Sequence, residues 1–398
     1  MSDRSPLEGL KVLELGQIAA GPFTGSLLAD LGADVVKVER PDGGDGMRNW
    51  PPLTGKGKQV FSENFASLNR NKRSITADLK DSDDIARLRR LCSHADVLIE
   101  NFRAGVLTRL GLGYEELSKE NPGLVYCSIS GYGQTGPYAS KGAFDVTIQA
   151  ISGLMSVTGE EGGAPVKCGV PVGDYCAGLY SAYTIMAALT RRRETGKGGY
   201  IDCSLMASLI GVSTLQTSEY FGTGNAPRRL GSAHPRNAPY QAYKASDDYF
   251  VIAAGNDKLW RSVCEAVARP DLAEDPRFLT QQLRAHNQTA LLEILQPLFV
   301  VRTAAEWLEE MDGRGIPCAP INSYPEVVDD PQVQALGLVL PLTLPNGVQT
   351  RTTAYPITLS DYKFKIFLPP PELGAHTEEV WQEWVGDSID RPVSGSIP

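Results

Sequence analysis

The sequence predicts the α/β class: a doubly wound, parallel-stranded large domain with a smaller α+β domain. Three observations carry that expectation. Short apolar runs alternate with helix-patterned stretches from Lys11 to Ser204. At 398 residues the chain exceeds what one compact core holds, so two domains are the natural division. After residue 222 a stretch spotted with glycine and proline, GTGNAPRRLGSAHPRNAP, separates the alternating part from a segment of different pattern.

Lys11–Leu15 (KVLEL) reads as a strand, GQIAAGPFTG opens a helix to about Leu31, and Asp34–Glu39 (DVVKVE) is a second strand. Such a strand–helix–strand unit makes a parallel pair with a right-handed crossover. Its glycines, Gly16, Gly21 and Gly25, miss the G-x-G-x-x-G spacing, and no Gly-Lys-Ser/Thr is present, so the unit is not a P-loop. Glu39 stands where a ribose-binding acid would, but Arg40 follows it directly and the fingerprint glycines are wrong. The reading is therefore no NAD. The pattern repeats with a strand at Lys72–Leu79, a helix at Asp83–Ser93 and a strand at Asp96–Glu100 closed by Asn101 and Phe102. A helix with Arg109 follows, then a strand at Leu124–Ser130 that runs into the loop GYGQTGPY. Tyr200–Ser204 reads as a further buried strand and Leu205–Phe221 as one more helix.

This succession is Rossmann-like, and in such sheets ligands sit beyond the carboxyl ends of the strands. Gln17, Arg40, Asn101, Phe102, Arg109 and Gly131 fall at or just after such ends. Lys37, Arg40, Lys72, Arg73 and Arg109 supply cations suited to phosphates, although each taken alone also reads as a solvated surface charge.

In the second part, Tyr240–Lys244 and Tyr249–Ala253 form a hairpin around Ala-Ser-Asp-Asp, with helices at Lys258–Ala268, Gln282–Leu298 and Ala304–Asp312. A second hairpin pairs Val339–Leu344 with Val348–Thr353 through Pro345-Asn346-Gly347. The chain ends in a proline spacer and an amphipathic helix, PPPELGAHTEEVWQEWV. The expected division is a large domain at 1–222, a linker at 223–238, a small domain at 239–326, a linker with hairpin at 327–371 and a C-terminal helix segment at 372–398.

Composition narrows the function. The formal charge of -9 argues against a nucleic-acid partner. No apolar run reaches about 18 residues, so no membrane span is expected. The N-terminus, MSDRSPLEGL, lacks both a signal-peptide core and an Arg-rich transit pattern. Seven scattered cysteines without a C-x-x-C pair fit a reduced, cytoplasmic protein. The four histidines (His94, His234, His286 and His376) show no metal-ligand spacing, so no metal is expected. G-x-S-x-G is absent, which disfavours a hydrolase of that kind. Cys176 reads as packing inside a helix rather than as a nucleophile.

The most informative stretch is Cys168–Met206, CGVPVGDYCAGLYSAYTIMAALTRRRETGKGGYIDCSLM. Its helix pattern stops in a basic turn and Gly196, where last-turn cations and a terminal glycine belong. Small residues at Ala177, Gly178, Ala182, Ala187 and Ala188 suit an interior helix with one acid, Asp174, at its mouth. An Asp before a helical run is the commonest kind of N-cap. A carboxylate at a helix N-terminus is also held ionised by the dipole and free N–H groups, which keeps it a competent nucleophile. Spacing leaves both readings open.

Several stretches together resemble the class III CoA-transferases, the CaiB/BaiF family, over nearly the whole chain. They are LEGLKVLELGQIAAGPFTGSLLADLGADVVKVERP, NRNKRSITADLK, DVLIENFRAGVLTRLGLGYEEL, SISGYGQTGPY, PVGDYCAGLYSAYTIMAAL, TGKGGYIDCSL and GAHTEEV. Within the family, SVTGEEGGAPVKCGV, GSAHPRNAPYQAYK and AAGNDKLW look most like dicarboxylate transferases of the succinyl-CoA:glutarate type. The resemblance implies a CoA-binding large domain and an interlocked homodimer. It implies CoA transfer from an acyl-CoA such as succinyl-CoA to a small dicarboxylate, glutarate or itaconate. Asp174 would be the nucleophile, forming an anhydride and then an aspartyl-CoA thioester. Gln17 would stand near the thioester carbonyl as an oxyanion donor. Arg40, Lys72, Asn101, Phe102, Val106 and Arg109 match positions that hold the CoA nucleotide and phosphates, with Lys141 and Met206 matching more loosely.

Two departures from relatives refine this. Racemising relatives carry His-Asp where this chain has Phe144-Asp145, and Phe144 is no base, which argues against the alternative of an acyl-CoA C2 racemase or epimerase. Formyl-transferring relatives carry a glycine run where this chain has GSAHPRNAP, which offers His234 and Arg236 instead. A cation there, or Arg48 in GMRNW, suits the far carboxylate of a dicarboxylic acid. Transferases for formyl, oxalate or carnitine-type acids, and a non-catalytic CoA-binding protein, remain as alternatives.

Overall fold

The computed structural model describes residues 4–57 and 59–386, so the end of the 372–398 segment lies outside the described residues. Its centre is a six-stranded parallel sheet: β1 (Lys11–Leu15), β2 (Asp34–Glu39), β3 (Lys72–Thr76), β4 (Val97–Glu100), β5 (Val125–Ser130) and β6 (Gly199–Ser204). The strand order is β3-β2-β1-β4-β5-β6, with every neighbouring pair parallel. The order reverses between β1 and β4. That is the switch point at which doubly wound sheets open a crevice for ligands.

Alternate residues of these strands feed two cores, because successive side chains point to opposite faces. Val12, Val35, Val97 and Val125 pack on one face with α1 (Ala20–Ala29). Leu13, Val36, Leu98 and Tyr126 pack on the other with α2 (Ser82–His94). Burial on both faces is why the strands read as almost continuous apolar runs. On the first face α3 (Asp145–Ile151), α4 (Val172–Thr195) and α5 (Leu205–Val212) complete the layer. A side chain on Gly178 of α4 would come within 2.6 Å of the Phe23 ring, so glycine is what lets α4 lie against α1. Helix α4 ends as its sequence foretells, with Arg192 and Arg193 in the last turn and Gly196 left-handed at φ 68°.

The C-terminal helix, Thr377–Val385, belongs to the large unit: Trp381 and Trp384 enter the α2-side core, and Arg73 pairs with Glu379 and Glu383. The hairpin of Val339–Thr343 and Gln349–Thr353 is in the same unit. A second compact unit comprises Met155–Val166 and Glu219–Pro331. In it Tyr240–Lys244, Tyr249–Ala253 and Cys318–Pro320 make an antiparallel sheet. Trp260, Phe278, Phe299 and Trp307 fill its core.

Two helices read as continuous are broken. Leu205–Phe221 divides at Ser213, whose hydroxyl donates back to Leu209 O (2.7 Å) and competes with the helical ladder. Gln282–Leu298 divides at Asn287, whose amide is taken by Leu283 O and Arg277 O. The interior reading of α4 holds on one side only. Ala177 and Ser181 are fully buried, but Leu179, Tyr180 and Tyr183 face outward, exposed by 54, 41 and 75%.

Candidate active site

The loop after β1 and the turn after β4 meet at the switch point. Gln17 N donates to Asn101 Oδ1 (2.9 Å) and Asn101 Nδ2 donates to Gln17 O (2.8 Å), so the two segments are stapled backbone to side chain. The Gln17 side chain itself is exposed. Beside it a cleft of about 440 Å³ is lined by Gln17, Arg40, Leu79, Lys80 and Phe102, together with the ends of β1, β2 and the segment after β3. Arg40 is exposed at its rim and spends one donor on Gly44 O (3.0 Å). Three of the residues singled out from sequence are thus gathered in one place. Leu79 and Lys80 were missed. Both lie just past the end of β3 and carry the same positional signal as the others.

Val106 lines a separate cleft of about 300 Å³ with Glu100, Arg103, Tyr126, Gln134 and Tyr200. Glu100 there is pushed up to about 7 by burial, against hydrogen bonds from Ser128 Oγ and Phe102 N. Arg109 is exposed in the short helix Val106–Arg109. Lys141 is exposed with its ammonium 3.8 Å from the centre of the Tyr138 ring, and Met206 N donates to Gly131 O (3.1 Å).

Four of the expected ligand-binding cations are corrected by the structure: Lys37 is buried against Glu14 and Asp45, Arg73 is buried against Asp34, Glu379 and Glu383, and Lys72 and Arg48 are likewise spent. Lys72 is fully buried. Its three donors go to Glu14 Oε2 (2.7 Å), Pro22 O (2.8 Å) and Asn69 Oδ1 (3.1 Å), so none is left for a phosphate. Burial and the neighbouring Lys37 charge, against the pull of Glu14, lower its pKa to about 8. Arg48 forks onto Glu39 through two 2.7 Å bonds, donates to Pro371 O and lies 3.8 Å over the Phe65 ring. A substrate carboxylate would have to displace all of these. Glu39, the acid that invited a ribose reading, is equally committed: it accepts from Arg48, Ser74 Oγ (2.6 Å) and Asp45 N (3.0 Å). His234 and Arg236 belong to the smaller unit, where Arg236 pairs with Glu219 (3.0 Å) and its amide donates to His234 Nδ1 (3.1 Å). Burial and the Arg236 charge lower the His234 pKa.

Asp174 lies in the first turn of α4, not ahead of it. The N-cap position is Pro171, which makes no side-chain cap, so the N-cap reading of Asp174 is wrong. The expectation that the helix N-terminus holds it strongly ionised is corrected as well. Asp174 is half-buried and its pKa is pushed up to about 7, first by burial and then by the charge of Asp145. Asp145 is held in place by Gly173 N (2.7 Å) and Gln149 Nε2 (2.6 Å), and Gln149 Oε1 accepts from Cys168 N (2.8 Å). Asp145 and Gln149 thereby tie α3 to the start of α4. The sequence alone showed Asp145 only as half of a missing His-Asp pair. Phe23, one turn into α1, meets the ring of Tyr175, the residue after Asp174, at 4.6 Å between centroids. Cys176 is no activated thiol, since burial and the Asp145 charge raise its pKa.

A doubly wound sheet with a rim cation at its switch-point cleft, and a carboxyl of raised pKa on a helix of the same unit, is the arrangement of an α/β protein that binds a ligand beyond the carboxyl ends of its strands. Comparison with known proteins makes the class specific. A family model described as CoA-transferase family III matches residues 7–377. Over 384 residues the chain is 39% identical to the succinyl-CoA:glutarate CoA-transferase of Homo sapiens, covering 96% of this chain and 87% of that protein. Over 391 residues it is 40% identical to the succinate–glutarate CoA-transferase of Agrobacterium fabrum, covering 98% and 97%. A crystal structure of a CaiB/BaiF family protein from Brucella suis aligns with a TM-score of 0.85 at 41% identity, over 96% of this chain and 99% of that one. The chain belongs to CoA-transferase family III, the CaiB/BaiF family. It is a CoA-transferase, whose substrates are an acyl-CoA and a carboxylic acid.

Proposed function

We propose that this enzyme moves CoA from succinyl-CoA to a small dicarboxylate, glutarate being the first candidate. The carrying observation is the identity of 39 and 40%, over nearly the full chain, to two transferases named for that acid. The Asp174 carboxylate attacks the thioester carbonyl, CoA thiolate leaves, and an aspartyl–succinyl anhydride forms. The thiolate then attacks the aspartyl carbonyl, which releases succinate and leaves an aspartyl-CoA thioester. The acceptor carboxylate displaces the thiolate to form a second anhydride. Attack of the thiolate on the acceptor's acyl carbon yields the new thioester and restores Asp174. A carboxyl with a pKa of about 7 is more basic than an ordinary one and still substantially ionised at neutral pH, which suits it to this role. The Gln17 side chain donates to the oxyanion. Arg40, Asn101, Phe102, Val106 and Arg109 hold the CoA, with Lys141 and Met206 beside them. Arg48 is committed to Glu39 and is not offered for the acceptor's far carboxylate. No metal and no NAD enter this scheme.

The test is transfer from succinyl-CoA to glutarate, itaconate, mesaconate, oxalate, acetate and carnitine, with Asp174→Ala as control. Preference for four- to six-carbon dicarboxylates, and loss of at least about a thousandfold in the variant, is the expected result. Exchange of the C2 hydrogen with solvent in place of transfer would instead establish a racemase. We also propose the interlocked homodimer: the outward apolar face of Leu179, Tyr180 and Tyr183 suits burial against a second copy. Sedimentation at the mass of a single chain would refute it. All seven cysteines are free thiols, which fits the proposed cytoplasmic location.

A further inference from the structure

Beneath the Gln17 loop lies a buried assembly of charges that the reaction scheme leaves unused. Lys37 and Lys72 share Glu14, at 3.0 and 2.7 Å, and all three side chains are fully buried. Lys37 also pairs with Asp45 (3.0 Å) and donates to Gly16 O (2.7 Å). Each ammonium has three donors and meets three acceptors. No room is left over: a side chain on Gly25 would overlap the Glu14 carboxylate, at 1.9 Å.

Two of these groups act directly on the loop. The Asp45 carboxylate takes Ile18 N on both oxygens, at 3.1 and 3.0 Å, and Lys37 takes the carbonyl of Gly16. Gln17 lies between them, its own backbone held by Asn101. Ile18 sits at φ +66°, a left-handed conformation that a β-branched residue rarely adopts. Such a residue persists only where its surroundings over-determine it, and here they do. Burial alone would raise the Asp45 pKa, but Lys37 and the backbone donors outweigh it and hold the group ionised.

We propose that Asp45 and Lys37 are positioning residues for the transfer reaction: they lock Gly16 and Ile18 on either side of Gln17 and so aim its amide at the developing oxyanion. The proposal rests on the role given to Gln17 above. The strain at Ile18 then has a purpose. A relaxed loop would turn the Gln17 side chain to a different direction, and a small misplacement of an oxyanion donor is costly.

A double-mutant cycle tests it, with kcat and KM for succinyl-CoA measured well below each variant's Tm. Asp45→Asn keeps the shape and loses the charge. It is expected to lower kcat by about tenfold or more with KM within about twofold. In a Gln17→Ala background the same change should lower kcat less than about twofold, because no amide remains to be aimed. Equal factors in both backgrounds, or an unchanged kcat in Asp45→Asn, overturn the proposal. An unchanged kcat in Gln17→Ala strikes the role of Gln17 itself, a separable failure. Should Asp45→Asn not fold, the change is made on Ile18→Gly, where positive φ is no longer strained. There a further fall in kcat of about threefold is expected, and equality with Ile18→Gly refutes the idea.

Discussion

Asp45 and Asp174 belong to the same unit and have opposite electrostatics. Asp45 is fully buried and compensated: Lys37 is 3.0 Å away, backbone amides fill its oxygens, and its pKa is lowered. Asp174 is only half-buried, has Asp145 as its charged neighbour, and is raised to about 7. Burial pushes both acids up, and the partners separate them: Lys37 and backbone donors outweigh it at Asp45, whereas Asp145 adds to it at Asp174. The same contrast sorts the cations, since Lys72 and Arg48 are consumed by the fold while Arg40 stands exposed at the cleft. Groups that the fold neutralises maintain structure, and groups it leaves unbalanced are free for chemistry.

The sharpest test of that contrast is stability. Lys72→Met leaves Glu14 short of a partner inside the protein and should cost about 3–5 kcal/mol in urea unfolding. Asp174→Asn removes a carboxyl whose ionised form the fold penalises, through burial and through the charge of Asp145, so at neutral pH it should leave stability unchanged or raise it. Comparable losses in both variants would break the distinction. A smaller effect concerns pH. Asp174 must be ionised to attack, so kcat/KM should rise with pH through about 7 in the wild type. Asp145→Asn keeps an acceptor for Gly173 N but removes the like charge, so the Asp174 pKa falls and the acid limb moves to lower pH. A limb that stays in place in the variant would show burial acting alone.

Much of the molecule was legible beforehand. The strands at Lys11–Leu15 and Asp34–Glu39, the Gly196 stop and both hairpins follow from local periodicity and turn chemistry. Arg40 and Phe102 were found because strand ends in an alternating sheet are ligand positions whatever the rest does. Lys72, read as a cation for phosphate, does not follow a strand but opens one, and its partner Glu14 is 58 residues away. Position in the alternation was a sound guide only at the carboxyl ends.

The sequence by itself determined the alternation of strand and helix, the apolar faces and the family, because these depend on neighbours a few residues apart or on long runs of matching residues. Only the tertiary structure decided which charges cancel. Asp145 reaches the start of α4 across 28 residues, Asp45 reaches Ile18 across 27, and Met155–Val166 leaves the large unit for the smaller one. A carboxyl's reactivity is set by the groups within a few ångströms of it, and folding alone chooses those groups.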